Sequence, residues 1–132
     1  QVEAFLTGVN QLGANDGAAA ITSFGKCITL NPRNSDLAQL YQAQAIALAG
    51  KTEDAAKIMD GLLTKEARNP ALLAIRADLA FLMGRNKEGI FFLGQAVGIG
   101  SDNWRVRQSV TRFQKILDQI DPKDIPAELK NR

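Results

Sequence analysis

The sequence predicts an all-α fold in which helical hairpins repeat along the chain. Apolar residues between the turn signals recur at spacings of three and four, the period of one helix face rather than the alternation of a strand. Gly, Asn-Pro and Asp-Pro signals cut the chain into segments of helical length. Small and large residues also recur at steps of 34 to 35 positions: Gly8, Ala43, Ala77; Ala20, Ala55, Gly89; Phe24, Met59, Leu93; Cys27, Leu62, Ala96. An internal period of that length marks a helical repeat array.

Seven helices follow in order. The first covers 2–12, with Val2, Phe5, Leu6, Val9 and Leu12 broadly on one side, and 13–17 (Gly-Ala-Asn-Asp-Gly) breaks it. The second covers 18–30 and stops at Asn31-Pro32. Ser35 is placed to cap the third, over 36–49. Gly50 ends it, since Gly takes the left-handed conformation without a side-chain penalty. Thr52 is placed to cap the fourth, 53–67, whose first turn carries Glu53 and Asp54 at the positive end of the helix dipole. Asn69 caps and Pro70 opens the fifth, closed by Gly84. Asn86 caps the sixth, 87–99, and a seventh, 103–120, ends at Asp121-Pro122. The tail 121–132 either holds one short turn or frays. Within each pair a small residue of one helix (Gly8, Ala43, Ala77) is expected to face a small residue of its partner (Ala20, Ala55, Gly89), which lets the helices approach closely.

Composition narrows the function classes. With 45% apolar and 23% charged residues the chain can bury a core, and its length suits one domain or a piece of a larger protein. It opens on Gln rather than Met, which reads as a processed form or a portion of something longer. A net charge of +2, from 16 basic and 14 acidic residues spread widely, lacks the dense basic stripe of a nucleic-acid binder. One cysteine excludes an internal disulfide and leaves the compartment open, cytoplasmic or periplasmic. No apolar run approaches the roughly 18 residues of a membrane span, so direct insertion by this domain is not expected.

The spacing of Gly8, Ala20, Phe24, Cys27 and Pro32 in the first pair, with Gly50 and Gly84 at turn positions later, resembles the tetratricopeptide repeat over about residues 1–100. The resemblance implies a right-handed superhelix of three hairpins (about 1–34, 35–69 and 70–102), then a capping helix, 103–120, and the tail. The chain departs from the family where an early bulky aromatic is replaced by Ala4, Gln39 and Leu73, and where a helix-ending Pro, kept at Pro32, becomes Ala67 and Ser101. The resemblance also implies that the first helix of each pair lines a concave face that binds other proteins. The expected groove residues are Phe5, Val9, Leu40, Tyr41, Gln44, Ile75, Asp78 and Phe81, with Arg105 and Arg112 of the closing helix as a basic rim. Leu40, Tyr41, Ile75 and Phe81 are expected to be partly exposed, and Asp78 to pair with Arg105 or Arg112. Trp104 is expected to anchor the closing helix on the third pair. The family's clamp for chaperone C-termini uses polar residues where this chain has Phe5, Val9, Tyr41, Ala71 and Ile75, so binding of that kind is not expected.

Catalytic patterns do not emerge. The absence of His removes the commonest proton shuttle and metal ligand. Cys27 has no such base to activate it and occupies a small core slot. Gly25-Lys26 lacks the Gly and Ser/Thr of a phosphate loop, and Gly94, Gly98 and Gly100 have the wrong spacing for a dinucleotide fingerprint. The expected function is a protein-interaction module, an adaptor or scaffold in a larger assembly, that takes a helical or extended peptide in an apolar groove and needs no cofactor. The alternative is a scaffold that associates with its own copies.

Overall fold

The computed structural model describes residues 2–130 and 132, and every regular element among them is helical. The helices are α1 Val2–Gly13, α2 Gly17–Leu30, α3 Asp36–Leu48, α4 Thr52–Lys65, α5 Pro70–Leu82, α6 Asn86–Gly100, α7 Trp104–Arg112, α8 Gln114–Gln119 and α9 Ala127–Lys130, with 3-10 turns at Pro32–Asn34 and Pro122–Asp124. The chain divides into two compact units at Leu62/Leu63, within α4. None of the described helices is long and apolar enough to cross a membrane.

The punctuation read from sequence explains most helix ends. Gly50 and Gly84 take φ of +91° and +76°, where an L side chain would be strained. Asn69 caps α5, its side-chain oxygen accepting from Leu72 N at 3.2 Å. In the first turn the left-handed residue is Asn15 (φ 65°), and Asp16 caps α2 by accepting from Ala19 N at 3.1 Å. Three expected caps differ. Thr52 is itself the first residue of α4. Ser35 turns its hydroxyl back to Pro32 O at 3.0 Å and caps nothing. Asn86 is the first residue of α6 and Arg85 takes the cap position, without a side-chain capping hydrogen bond. The expected seventh helix is broken: Phe113 leaves helical geometry (φ −105°, ψ 17°), separating α7 from α8.

In the first unit α1 and α2 form a hairpin and α3 packs on α2. Phe24, fully buried, is the centre of this core, with Ala20, Ala45, Phe5, Val9, Leu12, Ile21 and Tyr41 around it. At Gly8 a Cβ would lie 2.8 Å from the Phe24 ring, so its smallness makes room for a large neighbour. Polar stitches complete the unit, Ser23 Oγ donating to Gln11 Oε1 at 2.6 Å and Gln42 Nε2 to Ile21 O at 3.2 Å. In α4, Ala55, Ala56, Met59 and Leu62 are buried at helical spacing.

The second unit is built on the α5–α6 hairpin, with α7 packed on both helices and α9 on α6. Its core joins Leu73, Ala77, Phe81, Leu93, Val106, Val110, Phe113, Leu117 and Leu129. The described residues of the tail hold more than one short turn. They make a 3-10 turn and a short helix, and they bury Leu129 completely.

Candidate functional site

The expected groove residues fall into two groups with different surroundings. In the first unit, Phe5, Val9, Leu40, Tyr41 and Gln44 are all half-buried. Phe5 meets Phe24 edge-on with ring centroids 5.7 Å apart and Tyr41 edge-on at 5.4 Å, while Phe24 and Tyr41 stack at 5.8 Å. Edge-on and offset rings attract through their quadrupoles, so the three aromatics fix α1, α2 and α3 as a rigid platform.

Beside this cluster the apolar surface continues into solvent. Val2 is 71% exposed, Leu6 55% and Leu37 57%. Val2, Phe5, Cys27, Asn34, Leu37 and Ala38 line a pocket of about 200 Å³ at the N-terminal ends of α1 and α3. Leu37, Leu40, Tyr41, Gln44 and Leu48 follow helical spacing along α3, as Val2, Phe5, Leu6 and Val9 do along α1. This strip between α1 and α3 is an apolar surface with a hollow at one end. Cys27 is buried and lines the pocket, a packing position that matches its expected role.

In the second unit the expected groove residues are not open. Ile75 is 7% exposed and Phe81 5%, which corrects the expectation of partial exposure for both. Phe81 enters the gap left by Gly89, where a Cβ would come within 2.6 Å of its ring, and stacks on Phe113 at 4.7 Å. Asp78 is buried and pairs inside the molecule, as expected: Arg105 Nη2 donates to its Oδ2 at 2.6 Å, while Arg105 Nη1 donates to Ser109 Oγ at 2.7 Å. Asp78 Oδ1 is buried with no hydrogen-bond partner among the described residues. Arg105 is therefore committed to holding α7 on α5 rather than forming a free rim. Arg112 is exposed, its guanidinium carbon 5.3 Å from the Phe113 ring centroid. Trp104 is 74% exposed and anchors nothing; Val106, Val110 and Phe113 do that work.

The sequence did carry a signal for this difference. α5 is apolar on almost every side (Leu72, Leu73, Ile75, Leu79, Phe81), and a helix apolar all round is a buried helix. Arg76 escapes the pattern only formally, being buried against Glu88 at 2.6 Å and over the Phe92 ring at 4.8 Å. The exposed Val2, Leu6 and Leu37 were less legible, since period alone does not say which apolar residues lack a neighbour. No group of His, Cys, Asp or Glu among the described residues is arranged to hold a metal ion. No protein-family model matches the chain, and no curated protein matches it in sequence.

Proposed function

We propose that this chain is a tetratricopeptide-like helical repeat that binds a segment of another protein, acting as an adaptor or scaffold, and that the apolar strip between α1 and α3 is where the segment lies. The observation that carries the reading is the exposure of Val2, Leu6 and Leu37, with Val2 and Leu37 lining a hollow together with Phe5. Large apolar side chains gathered on one rigid face are a recognised mark of an interaction surface. An amphipathic helix with apolar residues at i, i+3, i+4 and i+7 has the matching chemistry.

Burying three such side chains contributes roughly 1.5–3 kcal/mol each. Association itself costs about 4–15 kcal/mol. The most favourable balance, about 5 kcal/mol, corresponds to a Kd of a few tenths of a millimolar, so micromolar affinity requires charge pairing or several linked copies in addition.

The test is fluorescence anisotropy with a labelled amphipathic peptide carrying Leu at those four positions, beside a peptide of the same composition with the period scrambled. Saturable binding of the first alone, weakened at least tenfold by the Leu6→Glu/Leu37→Glu double substitution at unchanged helicity, supports the reading. Equal binding of both peptides, or equal binding by the double variant, overturns it. Light scattering over a concentration series addresses the self-associating alternative. A dimer that the double variant abolishes would assign the strip to a second copy instead.

A further inference from the structure

A different surface, on α6 in the second unit, already holds a short peptide: the chain's own C-terminal segment. Pro126 and Leu129 carry the contact. Pro126 lies against Gly94, where a Cβ would come within 3.3 Å of its ring, and Glu128 lies against Gly98 at the same separation. Gly weakens a helix interior relative to Ala. The room it leaves at Gly94 and Gly98 is used by the tail. Leu129 is fully buried within the core that includes Ile90, Leu93, Val97 and Leu117, and Arg132 closes the segment with Nη2 donating to Asp118 Oδ1 at 2.6 Å.

The connection to this docked segment is of a different kind. Residues 121–124 are all exposed, and their hydrogen bonds are local: Lys123 N donates to Asp121 Oδ1 at 3.0 Å and Asp124 N to Asp121 O at 2.8 Å. Swinging the tail outward breaks none of these bonds. The docked residues, by contrast, read as a compact recognition sequence, Pro-x-x-Leu-x-x-Arg.

We propose that the slot on α6 is a peptide-binding site, filled in cis by residues 126–130 and Arg132 and able to accept the same segment from a second copy of this chain. In such an exchange every docked contact is retained, so the cis and trans forms differ only in association entropy and in the path of residues 121–125. The cis form dominates when dilute, because the tether gives the tail a high local concentration. Exchange grows with protein concentration and joins copies through their tails.

Two variants of the full chain separate donor from acceptor. Leu129→Ser releases the tail and leaves the slot open. Gly94→Leu fills the slot, since a Cβ alone would already crowd Pro126 at 3.3 Å, and leaves the tail free. Each alone should be monomeric by light scattering, and mixing them should give a 1:1 heterodimer. A fluorescein-labelled peptide of residues 121–132 should bind the Leu129→Ser chain at least tenfold more tightly than the wild type, and the same peptide carrying Leu129→Ser should not bind. Should the Leu129→Ser chain be unfolded by circular dichroism, the wild-type titration decides: saturable binding lost with the substituted peptide supports the slot, and no binding up to millimolar peptide overturns it. Peptide binding without a heterodimer on mixing would overturn the assignment to a second copy and leave the slot to some other Pro-x-x-Leu segment.

Discussion

At the scale of single residues, space and charge make opposite demands at two points of the second unit. Gly89 exists for Phe81: a Cβ would fall 2.6 Å from the ring, and that ring is held from the other side by Phe113. Gly89→Leu is therefore expected to destabilise by about 1–3 kcal/mol through overpacking. Gly61 sits in α4 with nothing within 4 Å of the corresponding point, so Gly61→Ala is expected to stabilise by about 0.5–1 kcal/mol from helix propensity alone. Thermal denaturation of the two variants should move in opposite directions; a neutral Gly89→Leu would mean that Phe81 can leave its slot. The buried Asp78 presents the charge problem. Its carboxylate is 5% exposed and depends on Arg105, with one oxygen already lacking a donor. Arg105→Met should cost roughly 3 kcal/mol, because breaking a buried pair strands the remaining charge. Adding Asp78→Leu to that variant should recover most of the loss, since the penalty lies in the uncompensated carboxylate rather than in the missing attraction. Urea denaturation of the two single variants and the double variant measures the difference, and additive losses would show that the ion pair itself is the source of stability.

At the scale of elements, the tail behaves as one docked piece whose worth is capped by its own docking energy. Leu129→Ala would ordinarily cost about 2–5 kcal/mol as a fully buried truncation. A short tail on an exposed linker can detach before the rest of the unit unfolds, so the loss cannot exceed what docking contributes. Leu129→Ala and truncation after Ile120 should then lower the melting temperature by nearly the same amount, and the two together should not add. A point substitution clearly worse than the truncation would mean that Leu129 disturbs the core without leaving it. The element pattern also shows what sequence reading reaches. Gly50, Gly84 and Asn69-Pro70 announced their turns because positive φ and the cap bond are local requirements, fulfilled within a few residues. The break at Phe113 had no such marker: neither Gly nor Pro stands there, and Phe113 is drawn out of helical geometry while it stacks on Phe81, 32 positions away in sequence. The glycines of α6 were likewise visible but unreadable. Their reasons are Phe81, Pro126, Glu128 and Pro70, which lie outside the helix. Of the candidate site, the period put Phe5 on one side of the first helix with Val2, Leu6 and Val9, but it did not show the ring contacts of Phe5 with Phe24 and Tyr41. The burial of Ile75 and Phe81 did not, because a period identifies an apolar face without saying what covers it.

At the scale of the whole molecule, the question is whether each compact unit owns enough core to stand alone. The second unit, residues 63–132, contains a contiguous core drawn from α5, α6, α7, α8 and the tail, with Leu93, Val106, Leu117 and Leu129 essentially inaccessible to water. The ion pairs Arg76–Glu88, Arg105–Asp78 and Arg132–Asp118 also lie wholly within it. The first unit has the smaller aromatic core around Phe24 and exposes Val2, Leu6 and Leu37. A chain of about 60–70 residues buries only about 60% of the surface its unfolded form exposes, so such a unit is marginal unless its core is continuous. The asymmetry predicts that a fragment of residues 63–132 folds by itself, with helical circular dichroism and a single cooperative melt. Residues 1–62 alone should be less helical, melt broadly, and gain order when the α1–α3 strip is occupied by the amphipathic peptide. Such a gain would tie folding to binding in the unit that carries the proposed groove, because a ligand that binds only the folded form stabilises it by mass action. A fragment 63–132 that is unstructured would show that its core needs residues before Leu63. A fragment 1–62 already fully folded without peptide would place the stability of the first unit in the Phe24 cluster alone.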